Sequence, residues 1–154
     1  MSTAFAEIAD ALTATFQAAV RSLNEERNAA GLASVAVYDG PSTSYVGSVG
    51  VAVGATREEV AAEWTTRPGD LAGDSRLTLP IVCLIWSGSG STVFNPHRST
   101  VAAVLAAIDA ELAADRSLGG VVSTAWITGG TWAQEQTGSG ALVTCEFRVT
   151  TTQF

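Results

Sequence analysis

The chain has 154 residues, 47% of them hydrophobic and 15% charged, with 15 acidic side chains against 8 basic ones. That length suits one domain, spanning residues 1–154, and the apolar content excludes a chain too polar to offset the entropy of ordering. Every basic residue is an arginine and the net charge is −7, a balance opposed to tight nucleic-acid binding through phosphate neutralisation.

The first ten residues have neither a basic segment nor a continuous apolar one, so no secretory signal is expected. The longest strongly apolar run covers residues 81–86, far short of the roughly 20 needed to span a membrane as a helix. Between 3 and 30, Phe5, Ile8, Leu12, Phe16, Val20 and Leu23 fall in steps of three or four and predict an amphipathic helix. Ser2 or Thr3 can cap it and Gly31 can end it. Its other face, with Glu7, Asp10, Gln17, Arg21, Asn24, Glu25 and Arg27, is expected to be solvated.

A β-branched run at 33–39 predicts a strand that Gly40 and Pro41 close, and a glycine-interrupted second strand follows at 45–53. Residues 55–74 combine a helix-prone start with Pro68, Gly69 and Gly73, and are expected to form a loop excursion. At 76–86 Leu77, Leu79, Ile81, Cys83 and Ile85 share one side while Val82, Leu84 and Trp86 line the other. A strand apolar on both sides is central or covered on each face.

Asn95 and Pro96 mark a turn, after which Ser99 is the expected N-cap of a helix over 100–115. That helix turns Val101, Val104, Leu105, Ile108 and Leu112 inward and is otherwise rich in alanine. The alanines serve helix propensity, or close approach by another element or subunit. Two strands are predicted at 121–132 and 141–151. The second alternates Val143, Cys145, Phe147 and Val149 inward with Thr144, Glu146, Arg148 and Thr150 outward. Gln134, Glu135 and Gln136 are expected at the hairpin tip between them. The order predicts an α+β fold: a single mixed or antiparallel β-sheet with two main helices packed on it.

No catalytic constellation emerges. His97 is the only histidine and is read as an exposed turn residue; without a second histidine or a cysteine pair it completes no usual zinc set. Lysine is absent, which removes Schiff-base and Walker-type chemistry. The glycines at 88–90 and 138–140 do not continue as a phosphate-binding motif, and Asp70 with Asp74 lacks the oxygen density of a calcium loop. Cys83 and Cys145 are each embedded in apolar residues and read as buried, inert thiols. No catalytic residue, cofactor or metal is therefore expected. What is left over is aromatic surface at Tyr45, Trp64, Trp126, Trp132 and Phe154, which either caps the sheet edges or serves an interface.

The order of elements, the VYDGP stretch at 37–41, the strand end at Val53 and Gly54, and the DRSLGGV stretch at 115–121 together resemble the tail terminator proteins of long-tailed, siphovirus-type bacteriophages. The resemblance spans most of the chain, though 55–74 has no counterpart in it. It implies a structural virion protein, made in the host cytoplasm, that assembles with itself as a homohexameric ring. Such a ring caps the head-proximal end of the tail tube, ends tube polymerisation and joins the tail to the neck or head. Its expected partners are the tail tube protein and a neck or head-completion protein, with DNA passing through unbound and no membrane involved. Ring contacts are expected at Trp64, Asp70 and Asp74 and at Trp132, Gln134 and Gln136, because long polar loops with an aromatic anchor fit stacking between rings. The alternatives are a head–tail connector or stopper, and a small ligand-binding domain or enzyme, which would need an enclosed pocket.

Overall fold

A computed structural model describes residues 2–40, 48–54, 77–90, 92–138 and 140–153, with the side chains of 2–4, 77 and 153 outside the description. The elements run α1 (Ser2–Ala29), β1 (Ala36–Asp39), β2 (Val49–Val53), β3 (Leu77–Gly88), α2 (Asn95–Ala114), β4 (Thr124–Thr137) and β5 (Gly140–Gln153). The five strands form one sheet in the order β1-β2-β3-β5-β4. β1 runs parallel to β2 and every other pair is antiparallel, so the sheet is mixed and the fold is α+β, as the element order predicts.

Both helices lie on the same face of the sheet. Ile8, Leu12, Phe16 and Val20 of α1 and Val101, Val104, Ile108 and Leu112 of α2 join Val51, Ile81, Cys83, Ile85, Val143, Cys145, Phe147 and Val149 in one buried cluster. Phe16 and Phe147 meet there with ring centroids 6.0 Å apart. A smaller cluster, Ala52, Leu84, Trp86 and Leu142, is buried on the opposite face. β3 is therefore apolar on both sides because it is central and has a cluster on each. Tyr38 stacks at a tilt on Trp86, whose indole N–H donates to Ser48 Oγ at 2.9 Å. The ring lies over Gly50, where an added Cβ would come within 2.5 Å of Trp86 Cζ2.

Several predicted details change. The solvated face assigned to α1 loses two members: Asn24 accepts from Val35 N–H at 2.7 Å and donates to its carbonyl at 3.1 Å, and Arg27 Nε donates to Ala33 O at 2.8 Å. Those bonds fasten the chain leaving α1, after Gly31 at φ 76° and the Leu32 N–H to Arg27 O bond have closed the helix. Any cap at Ser2 or Thr3 concerns side chains outside the described ones. β1 starts three residues later than predicted, at Ala36.

Helix α2 starts at Asn95, with Phe94 at the N-cap position and Pro96 in the first turn, where its missing N–H is no loss; Ser99 lies inside the helix. On β5, Thr144 and Thr150 face away from the helices as expected but are buried there, while Arg148 is exposed. β4 runs five residues further than predicted, through Thr137, so Trp132, Gln134, Glu135 and Gln136 belong to a strand and not to a hairpin tip. The turn is confined to the Gly138 region. There Gly140, at φ 129°, packs so closely that a side chain would collide with the Ser89 carbonyl.

Candidate functional site

The least covered part of the described surface is the outer half of β4. Residues 128–136 are all exposed, although they belong to a hydrogen-bonded strand whose neighbour β5 is buried across 140–145. Both faces of this half-strand meet solvent. Trp132, Gln134 and Gln136 lie opposite Cys145, Val143 and Ala141 and so stand on the helix side; Thr131, Ala133 and Glu135 lie opposite Glu146, Thr144 and Leu142 and stand on the other. Trp132 is 47% exposed. β4 is the terminal strand of the sheet, and among the described residues no strand lies beyond it.

Local sequence explains why the strand reaches this position. A register shift falls between Ile127 and Gly129, where one extra residue bends the strand. At Gly130 a Cβ would come within 2.6 Å of Glu146 O, so glycine is what permits the close pairing that follows the bulge. Beyond it, Arg98 in the first turn of α2 donates from Nη1 to Gln134 Oε1 at 2.7 Å, which holds that amide toward the helix.

Of the predicted contact residues, Trp132, Gln134 and Gln136 are thus brought to one face of one edge. Trp64, Asp70 and Asp74 lie outside the described residues, as do Tyr45 and Phe154. Trp126 is half-buried and, with Arg116 and Thr124, lines an open depression of about 340 Å³. Arg116 Nη1 there donates to Ala125 O at 3.2 Å.

His97 is a correction to the expected exposed turn. It sits in the first turn of α2, half-buried, with Ser87 Oγ 2.7 Å from Nδ1 and Ser89 Oγ 2.9 Å from Nε2. A neutral imidazole can donate at one nitrogen and accept at the other, so the ring ties the start of α2 to the end of β3. Burial lowers its pKa from the ordinary 6.5. A serine hydroxyl on a ring nitrogen has the spacing of a nucleophile and its base. The second nitrogen, however, meets another hydroxyl instead of a carboxylate, and the positive end of the helix dipole opposes an imidazolium. The arrangement acts as a strut. Ser87 and Ser89 were hidden from sequence reasoning because the Ser-Gly run carries only the signature of a turn.

The stretch at 115–121 is also explained by local bonds. The Asp115 carboxylate accepts from Ser117 Oγ at 2.6 Å, Ser117 N–H at 3.0 Å and Gly119 N–H at 2.8 Å. The Ser117 hydroxyl leads the groups that hold its pKa below the usual carboxylate range. Leu118, at φ 52°, is buried, and Gly119 and Gly120 also take positive φ. Cys83 and Cys145 are free and buried, their thiols pushed up to about 12 and about 11 by burial. Among the described residues no three His, Cys, Asp or Glu side chains gather as a metal set, and no helix is long and apolar enough to cross a membrane. In sequence, the chain matches no model of a known protein family and no curated protein.

Proposed function

We propose that this chain is a structural virion protein of the tail-terminator kind. It assembles with itself as a ring, a homohexamer, at the head-proximal end of a phage tail tube, where it ends polymerisation and joins tail to neck or head. The reading rests on the resemblance carried by the element order and by the stretches at 37–41 and 115–121. One structural observation supports it: a sheet edge exposed on both faces over 128–136, with Trp132, Gln134 and Gln136 side by side, is a surface suited to protein association.

The tail tube protein and a neck or head-completion protein are the proposed partners beyond the ring. The acidic balance suits a ring through which DNA passes ungripped, since six copies at −7 each amount to −42. Electron microscopy of the purified chain mixed with tail tubes tests the proposal. Rings seated on the head-proximal tube ends are expected. Rings found only at head portals would make it a connector, and a chain that forms no ring at high concentration with tubes present would end this reading.

A further inference from the structure

We propose that the depression lined by Arg116, Thr124 and Trp126 is a binding site for a carboxylate carried beside a flat aromatic group. The site is independent of the tail reading and of the β4 edge, because its chemistry follows from how the turn at 115–121 disposes of its own charges.

Asp115 and Arg116 are adjacent and opposite in charge, yet they do not pair. The Asp115 carboxylate is taken by the Ser117 hydroxyl and by the main-chain N–H groups of Ser117 and Gly119. Arg116 reaches instead to the start of β4, where Nη1 donates to the Ala125 carbonyl at 3.2 Å. A guanidinium has five N–H donors in a planar fork, and this bond uses one of them. Arg116 is exposed, and among the described residues no carboxylate meets it. The stretch DRSLGGV thus leaves a cation with most of its donors open.

Strand β4 supplies the rest. Ala125 belongs to the core cluster and Ile127 packs against it, so alternation sets Thr124 and Trp126 on the face turned away from the helices. There the half-buried indole and the Thr124 hydroxyl line an open space of about 340 Å³ together with Arg116. Arg148 alternates with Phe147 and Val149 of the core and so shares this face. It is exposed and stands diagonally across from Trp126, whose direct partner is Thr150, a position within reach of long side chains. Glu146, the next acid along β5 on this face, lies beyond Arg148 on the side away from Trp126.

These groups select the ligand. None of the three lining residues is acidic, one is a cation and a second cation stands close by, so the site suits an anion. The guanidinium fork matches a planar carboxylate with two parallel bonds, and the indole suits a flat aromatic partner. A phosphate is better met by successive main-chain amides in a turn, and those of Ser117 and Gly119 are already bonded to Asp115. The carboxylate can come from a free aromatic acid or from an acidic side chain next to an aromatic one in a peptide.

NMR of the full-length, isotope-labelled chain tests this through the indole N–H signal of Trp126, assigned by its loss in Trp126→Phe. Indoleacetate is expected to shift that signal with a Kd on the order of 1 mM, and neutral indoleacetamide to bind roughly fivefold more weakly. Arg116→Gln should erase the difference between acid and amide, whereas Arg21→Gln, exposed on α1, should keep it. The acid–amide comparison on the unsubstituted chain needs no variant and so does not depend on a variant's folding. A blocked glutamyl-tryptophan dipeptide against its glutaminyl counterpart separates the sources. Preference for the acid in the dipeptide pair marks a peptide segment as the ligand, and preference in the free pair alone marks a small acid. Equal binding of acid and amide in both pairs, phenyl phosphate binding more tightly than either carboxylate, or a Trp132 indole signal that moves as far as that of Trp126 would each overturn the inference.

Discussion

At the scale of single residues, His97 has the most distinctive environment, held between two serine hydroxyls at the junction of β3 and α2. Its pKa is lowered in the folded chain, so on acidification the unfolded chain takes up the proton first. The stability that the neutral ring contributes is therefore complete above about pH 6.5 and is lost as the pH falls from there towards the lower folded value. Carboxylates titrate near 4, and Asp115, whose folded pKa is also depressed, loses its contribution only below that. Denaturant unfolding between pH 7.5 and 5.5 should show stability falling with pH in the native chain and a flatter profile in His97→Gln. Equal slopes in the two proteins would mean that His97 is not the responsible group. None of this is visible in residue order, because both serines and the histidine have the composition of a turn there, and only the meeting of the end of β3 with the first turn of α2 brings them together.

At the scale of elements, what could be read in advance depended on how much of an element's periphery is buried. α1 and α2 each hide one stripe against a single sheet face, and stripes of spacing three and four are plain in Ile8, Leu12 and Phe16 and in Val101, Val104 and Ile108. β3 and β5 were legible from apolar runs and alternation. β4 was cut short because the rule that located the others failed there: a strand exposed on both faces has no alternation, and TWAQEQT resembles a loop in composition. The candidate site is thus where sequence reasoning was weakest, though Trp132 stood out as an aromatic with no evident burial. α1 also supports a direct test of which stripe holds the fold. Phe16 is fully buried against Phe147, so Phe16→Ala should cost about 3–5 kcal/mol in unfolding free energy, while Gln17→Ala, on the exposed side, should change it by less than about 0.5 kcal/mol. Comparable losses at both positions would contradict the packing described.

At the scale of the whole molecule, fold and charge pull association in opposite directions. A terminal strand exposed over 128–136 favours contact between copies, but each copy carries −7, and like-charged molecules repel until salt screens them. The β4 edge has little formal charge of its own, since Glu135 is the single acidic or basic residue in 131–137. Salt should therefore remove repulsion without breaking the contact. At low ionic strength, near 0.01 M, the screening length is about 30 Å, comparable with the size of the chain; at 0.15 M it is about 8 Å and only the nearest charges still interact. Self-association measured by sedimentation is accordingly expected to strengthen between these two conditions. An interface built on ion pairs behaves in the opposite way, since the same salt screens its attractions. Association that weakens as salt rises would place the contact on a charged surface and away from the β4 edge.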